Sequence, residues 1–169
     1  MGHVLTELEM LGPDDLRTYM QRQGIPGEIV YLEVPTPTVQ TAAEAVGVGP
    51  EQIVKSLLFL AKDEAVLAIT CGTLPVERRV IAARFGVGRK KVKLADAETV
   101  LAATGYAVGS VPPFGHRKSL PTMLDSRVLE HEEVYAGGGG GNALVRLNPQ
   151  DILKFSMAEL VDLHSPPEI

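Results

Sequence analysis

"VKSLLFLAKDEAVLAITCG", Val54 to Gly72, decides how the rest of the chain reads. Two apolar runs flank the polar Lys62-Asp63-Glu64, the pattern of two strands joined by a short turn. Working toward the N-terminus, a turn begins at Pro50, and "TVQTAAEAVG" predicts a helix with Thr38 as N-cap and its end near Gly47. "GEIVYLEV" alternates as a strand and stops at Pro35-Thr36-Pro37, while "GPDDLRTYMQRQGIP" predicts a first helix opened by Pro13 and closed at Gly24. Working toward the C-terminus, "LPVERRVIAARFG" is an amphipathic helix with Pro75 near its start and Gly86 at its end. "KKVKLA" predicts a strand and "DAETVLAATG" a helix capped by Asp96. "TMLD", "EEVYAG" and "NALVRLN" read as strands, and "NPQDILKFSMAEL" as a closing helix begun by Pro149, with "HSPPEI" a frayed tail. No internal repeat is present. Short strands with interspersed helices predict one mixed α/β sheet, strongly curled, without the rhythm of a doubly wound fold.

The bulk numbers narrow the function. The 169 residues suit one domain with a real core, and 45% hydrophobic against 22% charged residues is ordinary globular usage. With no Trp and 5% aromatic residues, stacking platforms for single strands are not expected. The single cysteine, Cys71, lies in the apolar "AVLAITCG" and reads as a buried thiol in a reducing cytoplasm. The start "MGHVLTELEM" has no basic-then-apolar signal, and no apolar run is long enough to span a bilayer, so the expectation is a cytoplasmic protein without a membrane partner.

Charge is unevenly placed. The net charge is −5, yet "RRVIAARFGVGRKKVK" carries Arg78, Arg79, Arg84, Arg89, Lys90, Lys91 and Lys93 and no acid. The remainder holds nine basic against 21 acidic residues. A basic face on an acidic body points to a local polyanion contact, against the plainer reading of a solvated face.

Lys55 stands at the entry to the first apolar strand, where it either snorkels to solvent or presents a fixed cation to a pocket. The stretch "GYAVGSVPPFGH", Gly105 to His116, is too rich in glycine and proline for a regular element and suits a stiff wall offering backbone N–H groups. It matches no phosphate-loop or dinucleotide pattern. His116 is the histidine within that loop, whereas His3, His131 and His164 read as surface residues. Asp125 is placed to cap or brace the loop. Ser110 lacks the context of a nucleophile elbow, and no hydrolase triad or structural zinc spacing is present. The five glycines of "VYAGGGGGNALVRL", Val134 to Leu147, are flanked too closely by strands for a linker.

Lys55 in "VKSLLF", the loop "GYAVGSVPPFG", then "LPTMLD" and the glycine-rich turn before "LVRLNPQDIL" occur in the order of one family. The chain resembles the YbaK and prolyl-tRNA synthetase-associated editing domains, free-standing aminoacyl-tRNA deacylases, from about residue 13 to residue 161 of a single domain spanning 1–169. The resemblance implies an α/β (α+β) fold with a curled mixed sheet, a barrel-like core and surrounding helices. It implies metal-free hydrolysis of the ester joining a wrong small amino acid to the 3′ end of a tRNA, assisted by the ribose hydroxyl, with no cofactor. Lys55 takes the place of the family lysine that binds the terminal nucleotide or the reacting ester. Gly109, in Gly109-Ser110-Val111-Pro112-Pro113, takes that of the glycine lining the acyl pocket, with Phe114, Gly115 and His116 continuing the wall. Gly137, Gly138 and Gly139 close the far side, and the glycine run exposes backbone N–H groups and leaves room for substrate. Gly137 replaces a small hydroxyl residue of several bacterial members, Leu144 an aspartate, and Thr38 or Val39 falls near a position that is aromatic in some members.

The resulting expectation is a trans-editing deacylase for mischarged tRNA-Pro or a related small-amino-acid tRNA. Its partners are the mischarged tRNA and an aminoacyl-tRNA synthetase, not DNA, and the basic stretch tracks the tRNA backbone. Two rivals stay open: a binding module for an aminoacyl or nucleotide end, favoured by Leu144, and a hydrolase of another small ester.

Overall fold

The computed structural model describes residues 10–165. Its centre is the expected hairpin: β2 (Ile53–Ala61) and β3 (Glu64–Cys71) pair antiparallel from Val54–Cys71 to Ala61–Glu64. β2 is buried on both sides, which explains why its sequence is apolar throughout instead of alternating. Val54 and Leu58 enter one core cluster, Ile53 a second, and Phe59 and Ala61 a third.

Around the hairpin lie β1 (Glu28–Tyr31), β4 (Val92–Leu94), β5 (Thr122–Asp125), β6 (Val134–Gly137), β7 (Ala143–Leu147) and β8 (Glu159–Val161). The sheet runs β1-β7-β6-β2-β3-β5-β8, with β4 paired to β2 off this path. β2–β6, β3–β5 and β5–β8 are parallel and the other pairs antiparallel, so the sheet is mixed as expected. It is open, not closed into a barrel: β1 and β8 end the path, and neither pairs with the other.

Among the described residues five helices cover it: α1 (Pro13–Gln23), α2 (Val39–Val46), α3 (Arg78–Phe85), α4 (Ala97–Thr104) and α5 (Pro149–Ser156). Leu16, Met20, Val100, Ala103 and Ile152 bring α1, α4 and α5 onto the face holding Val54 and Leu58. Ala42 and Ala43 of α2, and Ile81 and Ala82 of α3, cover the opposite face. Thr38 and Asp96 are N-caps as read from sequence, each accepting a backbone N–H three residues on. α3 starts later than Pro75 suggests, because the Glu77 carboxylate accepts the Arg79 N–H and caps it there.

The C-terminal segment departs from expectation. The predicted closing helix through Leu160 ends at Ser156, Met157 turns left-handed, and Glu159–Val161 adds a parallel strand to β5. Pairing with the free edge of β5 satisfies backbone groups on both sides and overrides the helix-forming side chains of "SMAEL". Asp125, which sequence placed as a brace for the loop, instead anchors this segment. It is fully buried, and its Oδ1 accepts the Leu163 N–H at 2.9 Å and faces Arg127 at 3.4 Å. His164 is not a surface residue: its side chain is 4% exposed, with Nε2 2.7 Å from Thr70 Oγ1 and Nδ1 2.8 Å from the Pro75 carbonyl. His3 and the last four residues of the tail lie outside the described residues. Cys71 is buried as expected, and burial followed by the charge of Asp125 pushes its thiol up to about 11.

Leu124, fully buried in β5 between β3 and β8, tests the join between hairpin and C-terminal strand. Leu124→Ala should lower the unfolding free energy by about 2–5 kcal/mol in urea titrations.

Candidate active site

One edge of β2 is interrupted. β6 pairs with it only at Ile53 and Val54, and β4 only from Phe59 to Ala61. Between them Lys55–Leu58 have no strand partner on that edge, and a cavity of about 200 Å³ opens at the gap. Lys55, Ser56 and Leu57 form its floor, Thr38, Val39 and Ala42 one wall, Val108, Gly109 and Val111 the other, and Gly137 and Leu144 its end.

Lys55 is half-buried, and among the described residues its ammonium has no hydrogen-bond or ion-pair partner. The strand alternation puts it on the face of Ile53, Leu57 and Phe59, which α2 and α3 cover at either end. Gly109 sits at φ 84° in a turn closed by the Ser110 N–H donating to the Ala107 carbonyl at 3.0 Å. Such a turn needs a residue that tolerates positive φ at this position, which explains the glycine. Thr38 stands at the rim, its hydroxyl engaged in the cap of α2. Leu144 presents an apolar end.

The glycine run has a different reason from the one sequence suggested. A Cβ on Gly137 would collide with the backbone of Ser110 and Val111. One on Gly138 would lie 2.6 Å from the Ala143 carbonyl carbon, and one on Gly139 2.9 Å from the Gly12 carbonyl carbon. These glycines are bare because backbones converge on them. Their N–H groups are also not offered to a ligand: Gly138 donates to Ala143 at 3.1 Å and Gly139 to Ser110 at 2.9 Å. Of the run, only Gly137 borders the cavity, while Gly139 holds the loop from behind and Gly138 closes the turn onto Ala143. The same turn carries the opposite wall, because the Gly141 and Asn142 carbonyls accept the Thr36 and Leu32 N–H groups.

The loop divides similarly. Gly109 and Val111 reach the cavity, Ser110 and Pro112 are buried, and Pro113, Phe114, Gly115 and His116 face a separate cavity of about 580 Å³ beside Tyr19 and Phe155. His116 Nε2 lies 2.6 Å from the Pro112 carbonyl, to which it donates. Burial holds its imidazole below the ordinary range, with that hydrogen bond opposing. It braces the loop and does not border the Lys55 cavity.

Of the basic stretch, Arg78 lies on the same face, past Lys55, whereas Lys93, paired with Leu60 in β4, alternates to the opposite face. The Arg78 guanidinium sits 5.9 Å over the Phe59 ring, about 13 Å along β2 from Lys55 at the usual strand rise. Arg79 pairs with Glu77 and Arg84 with Glu159 within the fold. Arg89, Lys90, Lys91 and Lys93 are exposed on the turn and strand beyond; among the described residues none makes a hydrogen bond or ion pair through its side chain, and Arg89 adds to the positive field at Glu77.

Ser56, Val108 and Ala42 are cavity residues that the sequence did not single out. Ser56 adjoins Lys55, and strand alternation sends its side chain to the other face, so it borders the cavity along the open edge of β2. Among the described lining residues there is no carboxylate, imidazole or thiol. An uncommitted cation, a turn glycine and apolar walls can hold an anionic or ester-bearing end and act by positioning and electrostatics. Gly137→Ala should force the Ser110–Val111 backbone outward and lower stability by about 1–3 kcal/mol in urea titrations. Gly141→Ala, where a Cβ meets open space, should stay within about 0.5 kcal/mol.

Residues 33–155 match the family described as aminoacyl-tRNA editing domain. The chain is 27% identical over 146 residues to YwhH, an uncharacterised protein of Bacillus subtilis (strain 168), covering 86% of this chain and 91% of that one. It is 31% identical over 116 residues to the proline–tRNA ligase of Thermoanaerobacter sp. (strain X514), covering 67% of this chain but only 20% of the ligase. A crystal structure described as a candidate trans-editing enzyme for prolyl-tRNA synthetase superimposes with a TM-score of 0.83 at 33% identity, over 90% of this chain and 96% of that one. The chain therefore belongs to the aminoacyl-tRNA editing domain family.

Proposed function

We propose that this protein is a cytoplasmic trans-editing deacylase. It hydrolyses the ester between a wrong small amino acid and the 3′ end of tRNA-Pro or a similar tRNA, without metal or cofactor. The observation that carries this reading is the convergence of Lys55, Thr38, Gly109, Gly137 and Leu144, distant in sequence, on one cavity of about 200 Å³ at the gap in β2. Lys55 anchors the phosphate or ester end, and the Gly109 turn lines the acyl group. With no carboxylate, imidazole or thiol among the described lining residues, the tRNA ribose hydroxyl and a positioned water supply the proton transfers. The likeness to proline–tRNA ligases and to a trans-editing structure supports the choice of tRNA.

Leu144 favours a second reading. An apolar residue at the cavity's end leaves the α-amino group of an aminoacyl ester without a carboxylate partner, which suits binding of an aminoacyl or nucleotide end without turnover, in association with a synthetase.

A panel of mischarged tRNAs, followed by release of the amino acid, separates the readings. Release from at least one tRNA, reduced about 100-fold or more in Lys55→Ala, is expected for the deacylase. Tight binding without release across the panel selects the binding module.

Arg89, Lys90 and Lys91 are exposed, and on this reading they meet the tRNA backbone. Reversing all three charges should raise the tRNA Kd and flatten the dependence of log Kd on log salt by about one unit for each phosphate no longer neutralised. An unchanged salt slope would mean that this surface is only solvated.

A further inference from the structure

The gap in β2 leaves a backbone donor that no strand uses. In β2 the even-numbered residues direct their N–H and C=O groups toward the β6–β4 edge. The Leu58 carbonyl accepts the Ala95 N–H there, and the Lys62 N–H donates to Lys91, whereas the Ile53 carbonyl points the other way, to Gly72. Val54 spends its edge groups on β6, and Leu58 and Leu60 face the segment carrying β4. Ser56 is the even-numbered residue left in the gap, and it borders the cavity.

A second observation concerns its side chain. Ser56 Oγ is buried and has no hydrogen-bond partner. Among the described residues three other side-chain atoms share that condition, on Tyr106, Asp125 and Ser156, and none of those residues borders this cavity. A buried hydroxyl without a partner is costly, and here that cost falls on the residue whose backbone edge lies in the gap.

We propose that Ser56 supplies, through its backbone N–H, the donor that receives the negative charge on the ester oxygen during hydrolysis. The proposal rests on the deacylase reading. Water adds to the ester carbonyl carbon, and the π pair of the C=O bond moves onto the oxygen, facing the Ser56 N–H. Collapse returns that pair and breaks the bond to the ribose 3′ oxygen, which takes one proton of the water. A free amino acid carboxylate leaves, and the remaining water proton goes to solvent. A strand N–H held by the β2–β3 ladder is fixed before the reaction starts, the condition under which such a donor lowers a barrier most. It lies across the cavity mouth from the Gly109 turn, so the ester sits between strand edge and loop.

The test replaces the amide between Lys55 and Ser56 by an ester, introducing the α-hydroxy analogue of serine at this position. The change removes the N–H and keeps the side chain. Expected is a fall in kcat of about 100-fold with the KM for the mischarged tRNA within about threefold, because the contact is weak with the bound ester and becomes strong in the transition state. Unchanged kcat in a folded ester variant overturns the assignment. Should the variant fail to fold, the wild-type protein decides. Adenosine carrying the amino acid through a 3′ amide is titrated into 15N-labelled protein, and the Ser56 amide should shift and exchange more slowly. Binding that leaves this amide unperturbed overturns the assignment while the deacylase reading stands. A chain that neither releases an amino acid from any tRNA of the panel nor binds the 3′-amide probe overturns the deacylase reading, and this assignment with it.

Discussion

The site depends on an incomplete strand ladder. β2 is covered on one edge by β3 along nearly its whole length, which makes it rigid. Its other edge is shared by two short partners that do not meet, β6 at one end and β4 at the other. A sheet interior normally pairs every backbone group, and a gap in it leaves polar groups at the bottom of a concave, otherwise apolar surface. The cavity is that gap. Filling it with strand would abolish the floor on which Lys55 and Ser56 lie, and removing the hairpin would leave nothing stiff to hold them.

Both walls of the gap hang from one turn. The glycine run donates to the 107–116 loop through Gly139, accepts from the 32–36 segment through Gly141 and Asn142, and packs against the start of α1. Side chains at Gly137 to Gly139 would separate these segments and change the width of the cavity. The run therefore acts on the site mainly by setting how closely three backbones approach. Its contribution to function is positional, and the residues with direct access to a ligand are on β2, the loop and α2.

Much of this was legible in the chain. The hairpin followed from two apolar runs around Lys62-Asp63-Glu64, and α2 and α4 from the caps Thr38 and Asp96, because both signals are local. Lys55 and Gly109 were singled out through the order of motifs shared with a known family, and they do border the same cavity. His116 and Phe114 were grouped with them by adjacency, yet the loop turns between Val111 and Pro113 and sends its second half to another cavity. β8 was missed because "SMAEL" has helical preferences, and its strand form comes from pairing with β5, more than thirty residues away in the chain. Asp125 and His164 escaped correct reading for the same reason, since their partners come from separate elements.

By itself the sequence determined the local elements, the central hairpin, the single-domain α/β character and the uneven charge, because periodicity, caps and turn residues act within a few positions. Only the tertiary structure decided that the sheet stays open, that β2 meets β6 and β4 without filling its edge, and that Ser56 faces a cavity beside Lys55. Register between distant strands is set by packing of both faces at once, which no short stretch of sequence encodes. The glycine run shows the division most clearly: its composition announced a constraint, and the fold showed that the constraint was the close approach of other backbones.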